Sequence, residues 1–424
     1  MGRRVLAAVC GGLLLAVVPA LPAEETAASA EDSAYENIAL FTRVLEQVRV
    51  HYVDEDKVAY QDLVFGALRG MLQSLDPHSQ FLDPDTFHDM QEDTAGEFGG
   101  LGVVISIRDG LLTIVAPMED TPGFEAGLLP GDRIVEIEGE STEGMGLQEA
   151  VKRLRGKPGT DVAIRILHRD ANEIKDVVIT RAEIKVSSVK DAKMIGNDIG
   201  YLRITQFNEP TAGAMEEALA DLDDQGMQGL VIDVRNNPGG LLSSAVEVSQ
   251  LFLRRGRLIV FTRGRDGEKD EVYRAGGRTH YPDLPLVVLV NQGSASAAEI
   301  LAGALKDHHR AVLVGERTFG KGSVQSVFPM NEGSAVRLTT ARYYTPSEQV
   351  IHEQGIEPHL VVPLAPETWM QLLRQRSRPK LAEPEEDGAP VVDRQLERAV
   401  HALRAIMIFR DRRAGWVSRR FAGK

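Results

Sequence analysis

The apolar and polar positions divide the chain into stretches of different period. Between residues 33 and 91, Ile38, Leu40, Phe41, Val44, Leu45 and Val48 recur at helical spacing, as do Val64, Phe65, Leu68, Met71 and Leu72. These spacings predict an N-terminal helical region, 33–95, that packs on a neighbouring domain or forms a dimer arm. Asp83 before Pro84 predicts an N-cap for a short helix ending before Gly96. Farther on, short apolar or alternating runs at 103–107, 199–204, 230–234, 286–290, 311–314 and 335–344 read as strands. Helices are expected over 147–155, over 211–225 and from the serines near 294 onward. Strand alternating with helix after Arg181 implies a mainly parallel sheet in a multidomain α/β protein. Residues 366–424 read as a helix around 367–376, a Pro- and acid-rich linker over 378–390, and an amphipathic helix from Asp393 bearing Leu396, Val400, Leu403 and Met407. Such a tail is expected to pack or dimerise rather than catalyse.

The first residues have a different character. Arg3 and Arg4 precede an apolar run, 5–18, followed by Pro19, Ala20, Leu21, Pro22 and Ala23. Residues 1–23 therefore read as a secretory signal peptide cleaved after Ala20 or Ala23. An uncleaved membrane anchor is the alternative, although the run is shorter than the ~20 residues that span a bilayer. Cys10, the single cysteine, lies inside this segment, so the exported chain would have no thiol for a disulfide, a nucleophile or a thiolate metal site. No HExxH zinc motif is present, and neither a metal nor a cofactor is expected. A net charge of −14 argues against nucleic acid as the partner and is compatible with basic or neutral protein substrates.

Chemistry concentrates between Leu284 and Met330. The strand at 286–290 runs through Asn291, Gln292 and Gly293 into Ser294, Ala295, Ser296, Ala297, Ala298 and Glu299, which suit the start of a helix. A hydroxyl there sits beside unpaired backbone N–H groups that can stabilise an oxyanion. A base is offered by Lys321, in the Gly-rich loop 318–323. To act near neutral pH its pKa must fall by roughly three units, which burial beside Val324, Val327 and Phe328 would favour. The turn 235–242, Arg-Asn-Asn-Pro-Gly-Gly-Leu-Leu, follows the strand at 230–234. The amides of Gly239 and Ala297 could together form the oxyanion hole, with Gly240 as the fallback donor.

With these residues in view, the chain resembles the C-terminal processing (tail-specific) peptidases, periplasmic or lumenal serine proteases with a Ser-Lys dyad. The family's Ser-Ala-Ser-Ala string falls on residues 294–297, which makes Ser296 the nucleophile and leaves Ser294 as a helix cap. The family's lysine, twenty-five residues on, falls on Lys321, and its supporting glutamine, four farther, on Gln325. A string like the family's Leu-Asp-Pro-His-Ser stands at 75–79. The resemblance covers about residues 35–365 and implies a crotonase- or Clp-like core, 182–365. It also implies periplasmic proteolysis of protein C-terminal tails, an acyl-enzyme route, and sometimes an adaptor protein or a homo-oligomer.

Residues 96–181 look like a PDZ domain. Phe98, Gly99, Gly100, Leu101 and Gly102 precede a strand, Thr121, Pro122 and Gly123 follow, and then comes Pro130-Gly131-Asp132-Arg133-Ile134-Val135. Gly99, Gly100, Leu101 and Gly102 would cradle a terminal carboxylate while the strand after them pairs with a peptide tail. Arg155, ending the helix at 147–155, reads as a cap on its dipole. Among histidines, His308 and His309 lie about 18 Å down the helix from Ser296. His280, His352 and His359 are left open by distance but lack a Gly-rich setting. Two other readings are a silent PDZ binding scaffold, which the intact Ser296, Lys321 and Gln325 disfavour, and an acyl-CoA enzyme, which the PDZ module and export signal disfavour.

Overall fold

The computed structural model describes residues 34–108, 110–118, 120–168, 174–277, 279–376 and 391–421. The signal-peptide segment with Cys10 and the linker at 378–390 lie outside them. Among the described residues no helix is long and apolar enough to cross a membrane.

Two strands decide where the core sits. Gly229–Asp233 and Leu286–Val290 are buried along their whole length, so their apolar runs are continuous rather than alternating. They lie at the centre of a six-stranded sheet with the order Val189–Ile195, Ile199–Ile204, Gly229–Asp233, Leu286–Val290, Val312–Gly315 and Leu360–Val361. The first pair is antiparallel and the rest parallel, as the strand-helix alternation predicts. On one face Leu230, Ile232, Val288 and Val290 pack with Met215, Leu219, Val248 and Ile300 of the helices Thr211–Asp224, Leu242–Gln250 and Ala297–Asp307. On the other, Tyr201, Val231, Val287 and Leu289 meet Ala399, Val400 and Leu403 of the helix Arg394–Phe421. The C-terminal amphipathic stripe thus covers the sheet.

A second, antiparallel sheet departs from the single sheet expected. It runs Gln80–Leu82, Ala335–Tyr344, Leu258–Arg263, Lys269–Arg274, and Ser323–Pro329 also pairs with Ala335–Tyr344. Gln80–Leu82 comes from the region read as wholly helical and pairs in register Gln80↔Arg337 and Leu82↔Ala335. Three residues are too few to show a period, yet they bury Phe81 and Leu82. The capped helix that follows does form: Asp83 Oδ1 accepts from Thr86 N–H at 2.9 Å, and Gly96 closes Pro84–Ala95 at φ 73°. Within the N-terminal unit, the helix Ala34–His51 buries no side chain, and the Arg49 guanidinium stacks 3.5 Å from the Tyr60 ring centre.

Between that short strand and the rest of the core lies a separate antiparallel sheet: Val103–Arg108, Leu111–Pro117, Arg133–Ile137, Asp161–Leu167 and Ile174–Thr180. It closes over the helix Leu147–Leu154 with its own core, including Leu112, Ile114, Ile134, Ala150 and Val162. The chain enters and leaves through the paired strands Glu97–Gly100 and Ala182–Lys185. The module is an insertion into the core.

Candidate active site

The turn between Leu286–Val290 and Ala297–Asp307 places Ser296 at the helix N-cap with φ 53° and ψ −114°. A non-glycine residue held there stores about 1–3 kcal/mol of strain, which the surroundings must over-determine. They do so from several sides. Ala295 N–H donates to Asn237 O at 2.9 Å, Ser296 N–H to Glu299 Oε2 at 2.8 Å, and Phe319 N–H to Ser294 O at 3.0 Å. Ser294 is not the cap expected of it. Its hydroxyl is fully buried, donates to Val234 O at 2.7 Å and accepts from Asn291 N–H at 3.0 Å, which ties two strand ends together. Ser296, half-exposed, is the serine left facing solvent.

Glu299 joins the two halves of the proposed dyad. Its carboxylate is fully buried and accepts from Thr318 Oγ1 at 2.5 Å, Gly320 N–H at 2.7 Å, Lys321 N–H at 2.9 Å and Ser296 N–H at 2.8 Å. A single oxygen, Oε2, thereby holds the backbones of both Ser296 and Lys321. Burial pushes the Glu299 carboxyl up from its ordinary value, and these four donors offset part of that rise. By sequence Glu299 reads only as a first-turn residue. Its S-x-x-E spacing from Ser296, the signature of a capping box, was the available signal.

Lys321 is half-buried, and burial lowers its pKa, with the nearby charge of Arg337 acting in the same direction. The expected apolar neighbours are not all responsible, because Val327 and Phe328 are exposed on the far part of their strand. Close backbone packing encloses the lysine loop instead. Glu353 N–H donates to Gly320 O, Tyr343 N–H donates to Gly322 O, and a Cβ on Gly322 would come within 2.2 Å of His352 N. Gln325 donates through Nε2 to Ser323 Oγ at 3.0 Å and to Thr339 Oγ1 at 3.1 Å. His78, absent from the histidines weighed on sequence, stands in the field of Lys321. Its pKa is lowered by burial and then by that lysine's charge. His359 Nδ1 accepts from Leu313 N–H, and His308 Nε2 bonds Leu258 O.

The turn after Gly229–Asp233 packs against Ser296. At Gly239, φ 104°, a Cβ would lie 2.7 Å from Ser296 Cβ and 3.0 Å from Ala297 N, so a glycine is required. Its N–H donates to the buried Asn237 Oδ1 at 2.8 Å rather than into the site as expected. The side chain of Asn237 competes for the amide because it lies two residues upstream in the same tight turn. Gly240 stands beside it at φ 136°. Behind this turn, fully buried, Arg235 bonds Asp233 at 2.7 Å, Asp393 at 2.8 Å and Gln395 at 3.0 Å, while Asp233 also receives Tyr201 Oη–H. Burial works against both charges. The pairing nevertheless raises the Arg235 pKa and lowers that of Asp233.

In the inserted module, Val103–Arg108 lies at the sheet edge opposite the helix Leu147–Leu154. Between them runs an apolar groove lined by Gly100, Leu101, Gly102, Val103, Val151 and Arg155. Gly99 is not free for this role, since its N–H donates to Glu92 Oε1 and its carbonyl accepts from Gly156 N–H. Arg155 does not cap its helix either. It lies over the Phe98 ring at 4.3 Å and within 3.7 Å of Glu92, and Arg181 bonds the last carbonyls, of Arg153 and Leu154, in its place.

Comparison with known proteins follows the same division. Residues 198–362 match the model of peptidase family S41, and residues 113–167 match a PDZ domain. A carboxy-terminal-processing protease of Bartonella bacilliformis is 42% identical over 371 residues, 85% of this chain and 83% of that protein. A carboxyl-terminal-processing protease of Synechocystis is 41% identical over 304 residues, 70% of each. Among solved structures, a photosystem II D1 C-terminal processing protease is 31% identical and covers 77% of this chain and 92% of its own, with a TM-score of 0.45. The chain belongs to the carboxy-terminal-processing serine peptidases of family S41.

Proposed function

We propose that this peptidase is exported, captures protein C-terminal tails in the groove of its PDZ domain, and cuts them by a Ser-Lys mechanism. Lys321 takes the proton of the Ser296 hydroxyl as the oxygen attacks the peptide carbonyl, and returns it to the leaving amine; water then hydrolyses the acyl-enzyme. Ala297 N–H, at the first turn of its helix, receives the oxyanion together with Gly239, once that amide releases Asn237, or with Gly240. Gln325 orients the lysine. The observation that carries this reading is the shared Glu299 oxygen, which holds the backbones of Ser296 and Lys321 to one point. Export rests on the basic, apolar and small-residue succession of residues 1–23.

The test compares two serines and one lysine. Ser296→Ala should abolish cleavage of an unfolded protein with an apolar C-terminus and leave the melting temperature unchanged. Ser294→Ala should keep the chemistry while losing about 1–2 kcal/mol of stability with its buried hydrogen bonds. Lys321→Arg should be inactive, because arginine keeps its proton at any working pH. Substantial activity in Lys321→Arg would remove the dyad.

A further inference from the structure

The loop before Gln80–Leu82 reaches the site by a path that the Ser-Lys chemistry leaves unused. Asp76 accepts from the N–H groups of His78 and Ser79, at 2.7 and 2.8 Å, and from the Ser79 hydroxyl at 2.7 Å. That hydroxyl has one proton, and Asp76 holds it. The Ser79 oxygen, 3% exposed with the rest of its side chain, is therefore an acceptor towards Thr339 N–H at 3.1 Å. Thr339 stands in Ala335–Tyr344 directly across from Gln325. Its Oγ1 is 3.1 Å from Gln325 Nε2 and 3.3 Å from Gln325 Oε1, so either end of the amide can bond it.

The distances resolve that ambiguity. Nε2 reaches two hydroxyl oxygens, Ser323 Oγ at 3.0 Å and Thr339 Oγ1 at 3.1 Å, whereas Oε1 meets Thr339 Oγ1 alone and farther off, at 3.3 Å. The Asp76 carboxylate fixes Ser79, and Ser79 Oγ fixes the Thr339 N–H, so Thr339 Oγ1 is held where it accepts from Gln325. Both Gln325 N–H groups are then spent, on Thr339 and on Ser323 Oγ. Oε1 is left as the acceptor. We propose that Asp76, Ser79 and Thr339 are positioning residues that set which way the Gln325 amide faces, presenting Oε1 to the ammonium that forms on Lys321 when it takes the Ser296 proton. The relay rests on the Ser-Lys reading above and extends it to a loop that lies before the PDZ insertion in sequence.

The experiment uses the full chain and a disordered substrate with a free apolar C-terminus, with kcat and KM measured across pH for Thr339→Val, Thr339→Ser, Asp76→Asn and the double variant Asp76→Asn/Thr339→Val. Thr339→Val should lower kcat about 10- to 100-fold at nearly constant KM, and Thr339→Ser should restore it to within about threefold. Because the lost acceptor no longer stabilises the ammonium, the rising limb of the kcat profile should move to lower pH in Thr339→Val. His78, His352, Arg337 and Glu299 also face or pack against the lysine loop, so the shift is read between variants that leave all four unchanged. The double variant should be no slower than Thr339→Val alone, since both changes act through one amide. Wild-type kcat and pH profile in Thr339→Val would overturn the relay, as would a double variant whose loss is the product of the two single losses. Melting temperatures guard against collapse of the loop, and Thr339→Ser reports even where Asp76→Asn fails to fold. Lys321→Arg is measured alongside: if it is active the dyad itself falls, whereas an inactive Lys321→Arg with an unaffected Thr339→Val removes only the relay.

Discussion

The proposed role of Lys321 as a base holds only as far as its surroundings disfavour its charge, and the charge of Arg337 adds to the effect of burial. Replacing Arg337 by Gln takes away a repulsion, so the protonated lysine becomes easier to form and its pKa rises. The activity of Arg337→Gln should then begin its rise at higher pH than in the wild type and be lower at pH 7; an unmoved profile would mean that burial acts alone. Glu299→Gln presents one acceptor where the carboxylate has two, so at least one of the four donors loses its partner, with a loss in kcat of about tenfold or more expected in a folded protein. Ser296 and Lys321 stand out in the sequence as candidates by their spacing along the chain, and the structure joins their backbones through Glu299. The junction at Glu299 does not stand out there, because three of its donors arrive from a loop about twenty residues away. Arg155 and Arg181 show the same limit: both carry the charge a helix end prefers, and only the path of the chain decides which one reaches it.

At the scale of elements, the parallel strands announced themselves because they are buried on both sides and hence continuously apolar. Leu258–Arg263 and Lys269–Arg274 escaped notice: the second is almost wholly exposed and charged, and its strand character comes from its partner. The PDZ module was legible from its glycines and turns, and its place in the molecule yields a prediction. Its groove ends at Gly100, where a Cβ would press on the Phe98 ring at 3.0 Å. Gly100→Leu should weaken cleavage of substrates with free apolar tails, and amidating the tail should abolish the advantage that the wild type gives it. Entry and exit strands are paired, with Gly100 facing Ala182, so residues 101–181 can be replaced by a short linker that leaves both strands in place. A module that only tethers substrate predicts a higher KM and the same maximal rate. A module that also gates the site predicts a changed maximal rate, and saturation kinetics on the refolded deletion decide between them.

Across the whole molecule, the buried cluster behind the Gly239 turn ties distant parts of the chain together. Asp393 lies 158 residues from Arg235 and bonds it through both carboxylate oxygens. Burial would raise the Asp393 pKa, but Arg235 and the N–H of Leu396 lower it. The stability from this group is therefore present above the ordinary carboxylate pKa and lost as the pH falls through the depressed one. Asp393→Ala leaves a buried guanidinium short of charge, at a cost of about 3–5 kcal/mol. Its denaturant midpoint should fall, and its loss of activity should exceed the fraction unfolded, because Arg235 begins the turn that carries Gly239.

The pairing of Gln80 with Arg337 also has a meaning in time. A ribosome delivers residue 80 early and residue 337 late, and everything between must be made while the first strand waits for its partner. Ser296 emerges before Arg337 exists to close that sheet, and well before Asp393 can neutralise Arg235. A growing chain therefore carries Ser296 for about a hundred residues without a finished site around it, a period of roughly 5–20 seconds at ordinary rates of synthesis. Any activity that needs the Arg235 cluster therefore cannot appear before residue 393 has been made.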